Sequence, residues 1–214
     1  MASEDEEEGE EGAAEHAKQK AAKVKKLAKE PRKGSEPMFW CLKDRPGPTC
    51  LLTTTSSSAD DLLAQVQTMG TFCWDGVRDE ASNAFVRKMR PGDTCCLFHG
   101  GAADRAIVAQ LQVVSEPKPD QSAFDSESPA YDAASTPDKP TWYCVDVKLH
   151  KAMDKFVTQN ELLAHSGELP GHAEMLTQPR LCVFPSPKKE WDLIFNNIMA
   201  RGHHVPATPH GAAA

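Results

Sequence analysis

The segment Thr71–Arg78 constrains the fold most, because it places a large aromatic ring directly before a tight turn. Trp74 precedes Asp75-Gly76, a dipeptide typical of turns, since glycine adopts positive φ values at little cost. Residues 79–90 then carry apolar side chains at helical spacing and end in three basic residues. We therefore predict that this turn forms one wall of a pocket, which the rest of the folded domain supports.

Charge is distributed unevenly along the 214 residues, although the net charge is only −7. Residues 1–15 contain eight acidic groups, and residues 16–33 contain eight basic groups. Because these residues include few large aliphatic side chains, they cannot offset the entropy of ordering. We predict a disordered tail at 1–37, a folded domain at 38–201 and a disordered C-terminal tail at 202–214. The basic run 23–33 resembles a nuclear import signal and predicts a nuclear protein, with a merely solvating tail as the alternative.

The remaining chain excludes several classes of protein. Residues 38–214 are mildly acidic, so any nucleic-acid role must depend on a local site rather than on a broad basic surface. The seven cysteines are odd in number and form no CxxC pair, which is typical of reduced intracellular thiols. No apolar run approaches the ~20 residues of a membrane-spanning helix, and the acidic start argues against a secretory signal. We therefore expect no membrane partner.

Apolar runs and capping signals predict five short strands and four short helices. The strands are expected at 38–43, 94–98, 106–114, 142–149 and 181–184, and the helices at 59–68, at 79–90, after Thr158 and after Ser186. Residues 115–140 predict a long loop, with Phe124 and Tyr131 as anchors. Hairpins rather than βαβ units favour an α+β domain built on a small barrel or strongly curved sheet.

The motifs of metal and nucleophilic chemistry are missing from the sequence. Cys95 and Cys96 are adjacent on a predicted strand, so their side chains point to opposite faces and cannot share an ion there. Neither a GxSxG elbow nor a glycine-rich phosphate loop is present. His99, at a strand end before two glycines, is the one histidine in a plausible functional position, although a structural role is common there. We predict no metal, no cofactor and no catalytic residue.

Because the motifs of metal and nucleophilic chemistry are missing, the sequence favours a ligand-binding site. Trp74 adjoins a polar turn, and a tryptophan face can stack on a planar base at ~1–3 kcal/mol per base. Lys43 and Arg78 could hold phosphate. For Trp142, as for Trp40 and Trp191, packing in the core is the simpler interpretation.

Several motifs, in order along residues 39–195, resemble the EVE domain family. Residues 39–46 (FWCLKDRP) are similar to its opening YWLMKSEP, residues 74–78 match its WDGVR, and residues 98–100 stand at its YHS. Residues 124–147 follow its FDP…YYDP…PKWYMVDV, and residues 180–191 resemble its closing RLSV…EW. The resemblance implies a PUA-like small mixed β-barrel flanked by short helices, related to YTH domains. It also implies a non-catalytic reader of modified bases, chiefly in DNA.

The resemblance also assigns site residues. Trp74 matches the wall of an aromatic cage, and the loop 115–140 would cover its flank. The predicted ligand-binding set is Trp74, Lys43, Asp44, Asp75, Gly76, Val77, Arg78, Phe98, His99 and Trp142. The chain departs from the family pattern at Asp44, Arg45, Glu80, Ala81, Asn83 and Phe98, which removes hydrogen-bond donors and adds an acid. We therefore expect weaker attraction of phosphate and a different base preference.

Two further functions stay open from the sequence. The barrel could be a scaffold whose N-terminal tail or long loop binds protein partners. It could also be an enzyme acting on a modified base, for which His99 and Asp75 are the candidate acids or bases.

Overall fold

The computed structural model describes residues 18–19, 21–32, 34–44, 58–101, 104–178 and 180–199. Within these residues the strands are β1 (Phe39–Asp44), β2 (Thr71–Trp74), β3 (Thr94–His99), β4 (Ala106–Val113), β5 (Lys118–Pro119), β6 (Tyr143–Thr158) and β7 (Val183–Ser186). The helices are α1 (21–29), α2 (Ala59–Met69), α3 (Glu80–Val86), α4 (Gln159–Ala164), α5 (Pro170–Thr177) and α6 (Lys188–Asp192). A 3₁₀ turn spans Gln121–Ala123, and a π-helical turn, Leu193–Ile198, continues α6.

The strands form one mixed sheet in the order β2-β6-β4-β3-β1-β7, with β5 paired to β6. The predicted α+β class is confirmed, and the five predicted strands all exist. The expectation of hairpins alone was wrong, because β1 and β3 pair in parallel across a crossover that contains α2, β2 and α3. Strand β6 is twice as long as predicted, since it pairs with β2 and β5 at one end and with β4 along most of its length.

The sheet curls so that its two edge strands approach each other. Ser82, in the first turn of α3 just after β2, accepts hydrogen bonds from the backbone N–H groups of Cys182 (3.1 Å) and Val183 (3.4 Å), at the start of β7. The backbone N–H of Lys43 donates to the carbonyl of Cys182 at 2.8 Å. These bonds hold α3, the helix that follows β2, beside the carboxyl end of β1.

The two faces of the sheet follow from the register. Successive strand residues point to opposite faces, and directly paired residues share a face. Leu42, Leu97 and Val145 lie on one face, the inner face, and Asp44, His99 and Trp74 lie on the same face. The outer face carries Phe39, Cys41, Lys43, Cys96 and Phe98, and there Phe39 stacks on Trp191 of α6 at 4.7 Å.

The segment before β1 packs on the domain. Val24 and Ala28 of α1 are buried, and the Arg32 guanidinium forms a salt bridge of 2.6 Å with Asp93. Asp93 is fully buried and also accepts from the indole N–H of Trp40 at 2.9 Å. The sequence predicted that this segment belongs to a disordered tail, 1–37. In the structure, residues 21–32 instead pack on the domain, because Val24 and Ala28 are buried and the buried carboxylate of Asp93 binds Arg32. Residues 1–17 and 200–214, where the rest of the predicted tails fall, lie outside the described residues.

The helix predicted at 79–90 ends earlier, at Val86. The following N–H groups of Lys88 and Met89 bond to carbonyls three residues back, which tightens the chain before Pro91. This tightening lets the backbone N–H of Arg90 donate to Asp93 at 3.1 Å.

No helix within the described ranges is both long enough and apolar enough to cross a membrane.

Candidate functional site

Asp44 and His99 form a buried pair at the ends of the parallel strands β1 and β3. Their side chains are 2% and 1% exposed, and Nδ1 of His99 lies 3.2 Å from Oδ2 of Asp44. The two glycines after His99 are required by close packing. A Cβ atom at Gly101 would lie 2.5 Å from Nε2 of His99, and one at Gly100 would collide with the carbonyl oxygen of Asp44.

Three polar atoms on the inner face have no hydrogen-bond partner among the described residues. They are Oδ1 of Asp44, Nε2 of His99 and the indole Nε1 of Trp74, and all three are buried. Most buried polar groups in proteins are hydrogen-bonded, because an unmade bond costs roughly 1–3 kcal/mol. This face therefore carries an acceptor, a donor and an imidazole nitrogen that have no partner among the described residues.

Trp74 itself is sealed from solvent. Its side chain is 1% exposed, so neither face of the ring is open to water. Two surface pockets formed by described residues lie elsewhere, and Trp74 lines neither of them. The indole N–H of Trp40 bonds to Asp93 and that of Trp142 bonds to Asp132, whereas the indole N–H of Trp74 has no acceptor among the residues that the structure describes.

The turn after Trp74 has the predicted geometry. Gly76 adopts φ of +69°, a conformation that favours glycine, and its N–H donates to Asp120 at 2.9 Å. Asp75 is 9% exposed and Val77 is 2% exposed, so the turn is folded into the domain. It thus connects Trp74 to the long loop through Asp120.

Arg78 makes contacts that the sequence did not indicate, while its predicted phosphate contact stays a prediction. Its guanidinium donates to Asp120 at 2.7 Å, to the carbonyl of Ala130 at 2.7 Å and to the hydroxyl of Ser122 at 3.0 Å. These bonds anchor the loop 115–140. Asp120 and Arg78 take the anchoring role predicted for Phe124, which is half-buried, and Tyr131, which is 47% exposed.

Lys43 and Phe98 lie on the opposite face from Asp44 and His99. The Lys43 ammonium, 7% exposed, donates to the carbonyl of Gln178 at 2.9 Å, and Phe98 is a core residue at 1% exposed. The structure therefore does not bring the whole predicted set around one point. It places Asp44, His99 and Trp74 on the inner face and Lys43 and Phe98 behind them.

Trp142 lines a surface pocket of about 420 Å³, together with Glu80, Asn83, Ala84, Arg87, Lys88 and Thr141. Its indole N–H donates to Asp132 at 2.6 Å, and the Arg78 guanidinium lies 5.5 Å from its ring centre. The hydrogen bond from Trp142 lowers the pKa of Asp132 below its ordinary value. This half-buried tryptophan thus supports the loop rather than the inner face.

Sequence reasoning missed the residues that hold the site together. Ser82 ties α3 to β7, and Asn83 bridges α3 to β6 by donating to the Thr141 carbonyl and accepting from the Tyr143 N–H. Asp120 was missed because its partners are 42 and 44 residues away. A buried aspartate inside an otherwise polar loop leaves no periodic signal, and only the position of Ser82 after the helix cap Asp79 hints at a structural use.

Comparison with known proteins gives consistent matches. The EVE domain model matches residues 50–197. Thymocyte nuclear protein 1 of human is 30% identical over 145 residues, covering 65% of this chain and 64% of that protein, and its mouse counterpart is 32% identical over 65% and 63%. The chain thus spans slightly less than two thirds of these relatives.

Solved structures of similar fold include two at 28% identity. A hypothetical protein from Leishmania major has a TM-score of 0.64 and covers 78% of this chain and 97% of its own. Human THYN1 protein, crystallised in complex with 5-methylcytosine containing DNA, has a TM-score of 0.63 and covers 75% and 97%. Because the family model covers well over half of the sequence, this chain belongs to the EVE domain family.

Proposed function

We propose that this chain is a non-catalytic nucleic-acid-binding protein that reads a modified base, in DNA rather than RNA. One observation carries the proposal: on one face of the curled sheet, Trp74, Asp44 and His99 have buried polar atoms with no hydrogen-bond partner among the described residues. A ligand that supplies the missing hydrogen bonds would remove their desolvation cost.

The three atoms suit the edge of a nucleobase. The Trp74 N–H takes an acceptor, and the Asp44 carboxylate oxygen takes a donor, while Nε2 of His99 serves either way according to its tautomer. Cytosine offers an exocyclic amine donor beside ring and carbonyl acceptors. The Trp74 ring supplies a flat apolar wall for the base plane.

The human relative supports DNA with a modified base as the ligand, since it was crystallised with 5-methylcytosine containing DNA. The names of the curated relatives and the basic run 23–33 together support a nuclear location. At 28–32% identity, and with the departures at Asp44 and Phe98, the base that this chain prefers is open to direct measurement.

Direct contacts are assigned to Trp74, Asp44 and His99, and supporting roles to the other predicted residues. Asp75, Gly76 and Val77 fix the turn that holds the indole, and Arg78 anchors the loop. Because Trp74 is only 1% exposed, a base must leave its stack and displace the groups that cover the ring. We therefore expect slow association and modest affinity.

The test is a fluorescence-anisotropy titration with matched oligonucleotides that carry one 5-methylcytosine, one 5-hydroxymethylcytosine, one N6-methyladenine or no modification. Trp74→Phe keeps a flat ring and removes only the N–H, whereas Trp74→Ala would open a large cavity at about 3–5 kcal/mol. Asp44→Asn adds a donor where an acceptor is needed. Trp142→Phe is the control, since its indole already has a partner.

We expect one modified oligonucleotide to bind wild type and Trp142→Phe alike, and to bind Trp74→Phe and Asp44→Asn about five- to tenfold more weakly, in line with the loss of about 1–1.5 kcal/mol per hydrogen bond. Equal affinity of all four proteins for every oligonucleotide would remove the proposal. A change in the mass of the recovered oligonucleotide would overturn its non-catalytic part.

A further inference from the structure

A second cluster of buried polar side chains lies on the outer face, away from the proposed base site. Cys41 of β1 and Cys96 of β3 are paired directly across the parallel strands, so their side chains point to the same face. Helix α5 places His172 against them. One ligand atom from each of these three residues lies within 4.8 Å of the other two, and the residues are 0–1% exposed.

His172 is held in a fixed orientation by a carboxylate. Its Nδ1 lies 2.8 Å from Oε2 of Glu190, and the carboxylate also accepts from the backbone N–H groups of Gly171 (3.0 Å) and His172 (3.1 Å). A Cβ atom at Gly171 would lie 3.0 Å from both carboxylate oxygens and 2.9 Å from the ring of Phe184, so glycine permits this approach.

Glu190, which caps α5, provides a hydrogen-bond partner for Nδ1 of His172 but none for the other ring nitrogen, Nε2. Nε2 is buried and has no hydrogen-bond partner in the part of the chain that the structure describes. Since Nδ1 faces Glu190, Nε2 is the nitrogen left for the two sulfur atoms. A histidine that binds a metal through one nitrogen commonly contacts a carboxylate with the other.

We propose that Cys41, Cys96 and His172 bind a thiophilic d¹⁰ cation, Zn²⁺ above all, with Glu190 as the residue that positions His172. Zinc–sulfur bonds of about 2.3 Å in a tetrahedral site place two sulfur atoms about 3.8 Å apart, within the span of this cluster. Two thiolates balance the charge of Zn²⁺, which suits a buried site. The three protein ligands leave a fourth position for a water molecule or a further group.

The ion would connect α5 to the centre of the sheet. Burial raises the pKa of the Cys96 thiol, helped by a hydrogen bond with Cys41, so the metal-free cluster holds protonated thiols and zinc binding releases protons. The sequence prediction of no metal site weighed Cys95 and Cys96, which are neighbours along one strand, and the tail histidines His203 and His204. The pair that matters lies across two strands and depends on a histidine 76 residues beyond Cys96.

The experiment uses the full-length, untagged, reduced protein. Since the ligands are buried, each sample is unfolded and refolded with either zinc or a chelator, and bound zinc is then measured by atomic emission. The variants are Cys41→Ser, Cys96→Ser and His172→Ala. The controls are Cys95→Ala, on the inner face, and His203→Ala/His204→Ala, which removes adventitious binding by the C-terminal histidines.

We expect one zinc per chain in wild type and both controls, none in the three ligand variants, and a higher melting temperature for wild type refolded with zinc. Glu190→Gln should weaken zinc affinity about 10- to 100-fold. Should a ligand variant fail to fold, Co²⁺ substitution of wild type decides the question, since a tetrahedral thiolate site gives sulfur-to-cobalt charge-transfer absorption. Absence of that absorption, zinc content unchanged in the ligand variants, or a Cys41–Cys96 disulfide in the fresh protein would each overturn the proposal.

Discussion

Arg78→Ala tests whether this arginine anchors the long loop or holds phosphate. In the structure Asp120 is fully buried and forms a salt bridge of 2.7 Å with Arg78, whose side chain is 14% exposed. Removing one partner of a buried pair costs about 3–5 kcal/mol, because the other charge is left uncompensated.

The magnitude for this pair lies at the lower end of that range. Asp120 keeps three other donors in the variant: the N–H groups of Gly76 and Ser122 and the Ser122 hydroxyl, at 2.9, 2.9 and 2.7 Å. The bond from Arg78 to the Ala130 carbonyl is also lost. We therefore expect Arg78→Ala to lower the free energy of unfolding by about 3 kcal/mol.

Urea unfolding followed by circular dichroism measures this change. Arg87→Ala is the matched control, because its guanidinium lies 4.5 Å from the ring centre of Tyr143, a contact worth about 0.5–1 kcal/mol. A salt titration of oligonucleotide binding is run beside it, since each lost phosphate contact reduces the slope of log K against log salt by about 0.9. Unchanged stability of Arg78→Ala together with a reduced slope would refute the anchoring role and restore the phosphate contact.

Three other predictions concern separate parts of the molecule. Asp93→Ala should lower the free energy of unfolding by about 3–5 kcal/mol, because it leaves the buried Arg32 guanidinium without its carboxylate partner. Amide hydrogen exchange should then be faster in α1, and unchanged protection of α1 would contradict this prediction. Burial alone would raise the pKa of Glu190, yet hydrogen bonds from His172 and Gly171 hold it below the ordinary value of 4.5. The ionised Glu190 carboxylate therefore stabilises the fold fully above pH 4.5, and this stabilisation is lost as the pH falls through the depressed pKa. The difference in unfolding free energy between wild type and Glu190→Gln should accordingly shrink in acid. A difference that grows in acid would contradict the assignment. Gly101→Ala should displace the His99 ring and weaken base binding more than Gly167→Ala, where a Cβ meets open space, and equal affinity of the two variants would contradict the packing argument.

Helices that begin at a clear N-capping signal could be predicted from the sequence. Helix α2 begins after Ser58, whose hydroxyl accepts from the N–H of Asp61, and α4 begins with the capping box of Thr158 and Glu161, as the sequence indicated. Strand β2 escaped prediction because its four residues end in Trp74 and read as part of the turn. The parallel pairing of β1 with β3 escaped as well, since pairing between distant strands leaves no mark in either one.

For the candidate site, family motifs indicated residues, whereas the geometry of the site needed the structure. Family motifs pointed to Asp44, Trp74 and His99, but their shared face required the strand register. The bond from Arg78 to Asp120 was not predictable, because an arginine beside an aromatic turn gives no sign of a partner 42 residues later. The cluster of Cys41, Cys96 and His172 was invisible for the same reason, since its members come from three elements that only the fold brings together.

The indole N–H of Trp74, which has no acceptor in the described part of the chain, offers the most direct measurement of the central claim. In ¹⁵N-resolved NMR spectra each tryptophan gives its own indole signal, which Trp→Phe variants assign. On titration with the best modified oligonucleotide, the Trp74 signal should shift most, while those of Trp40 and Trp142, already bonded to Asp93 and Asp132, should stay nearly fixed. A Trp74 signal that does not move at saturation, or that moves equally with unmodified DNA, would contradict the assignment of this chain as a reader of modified bases.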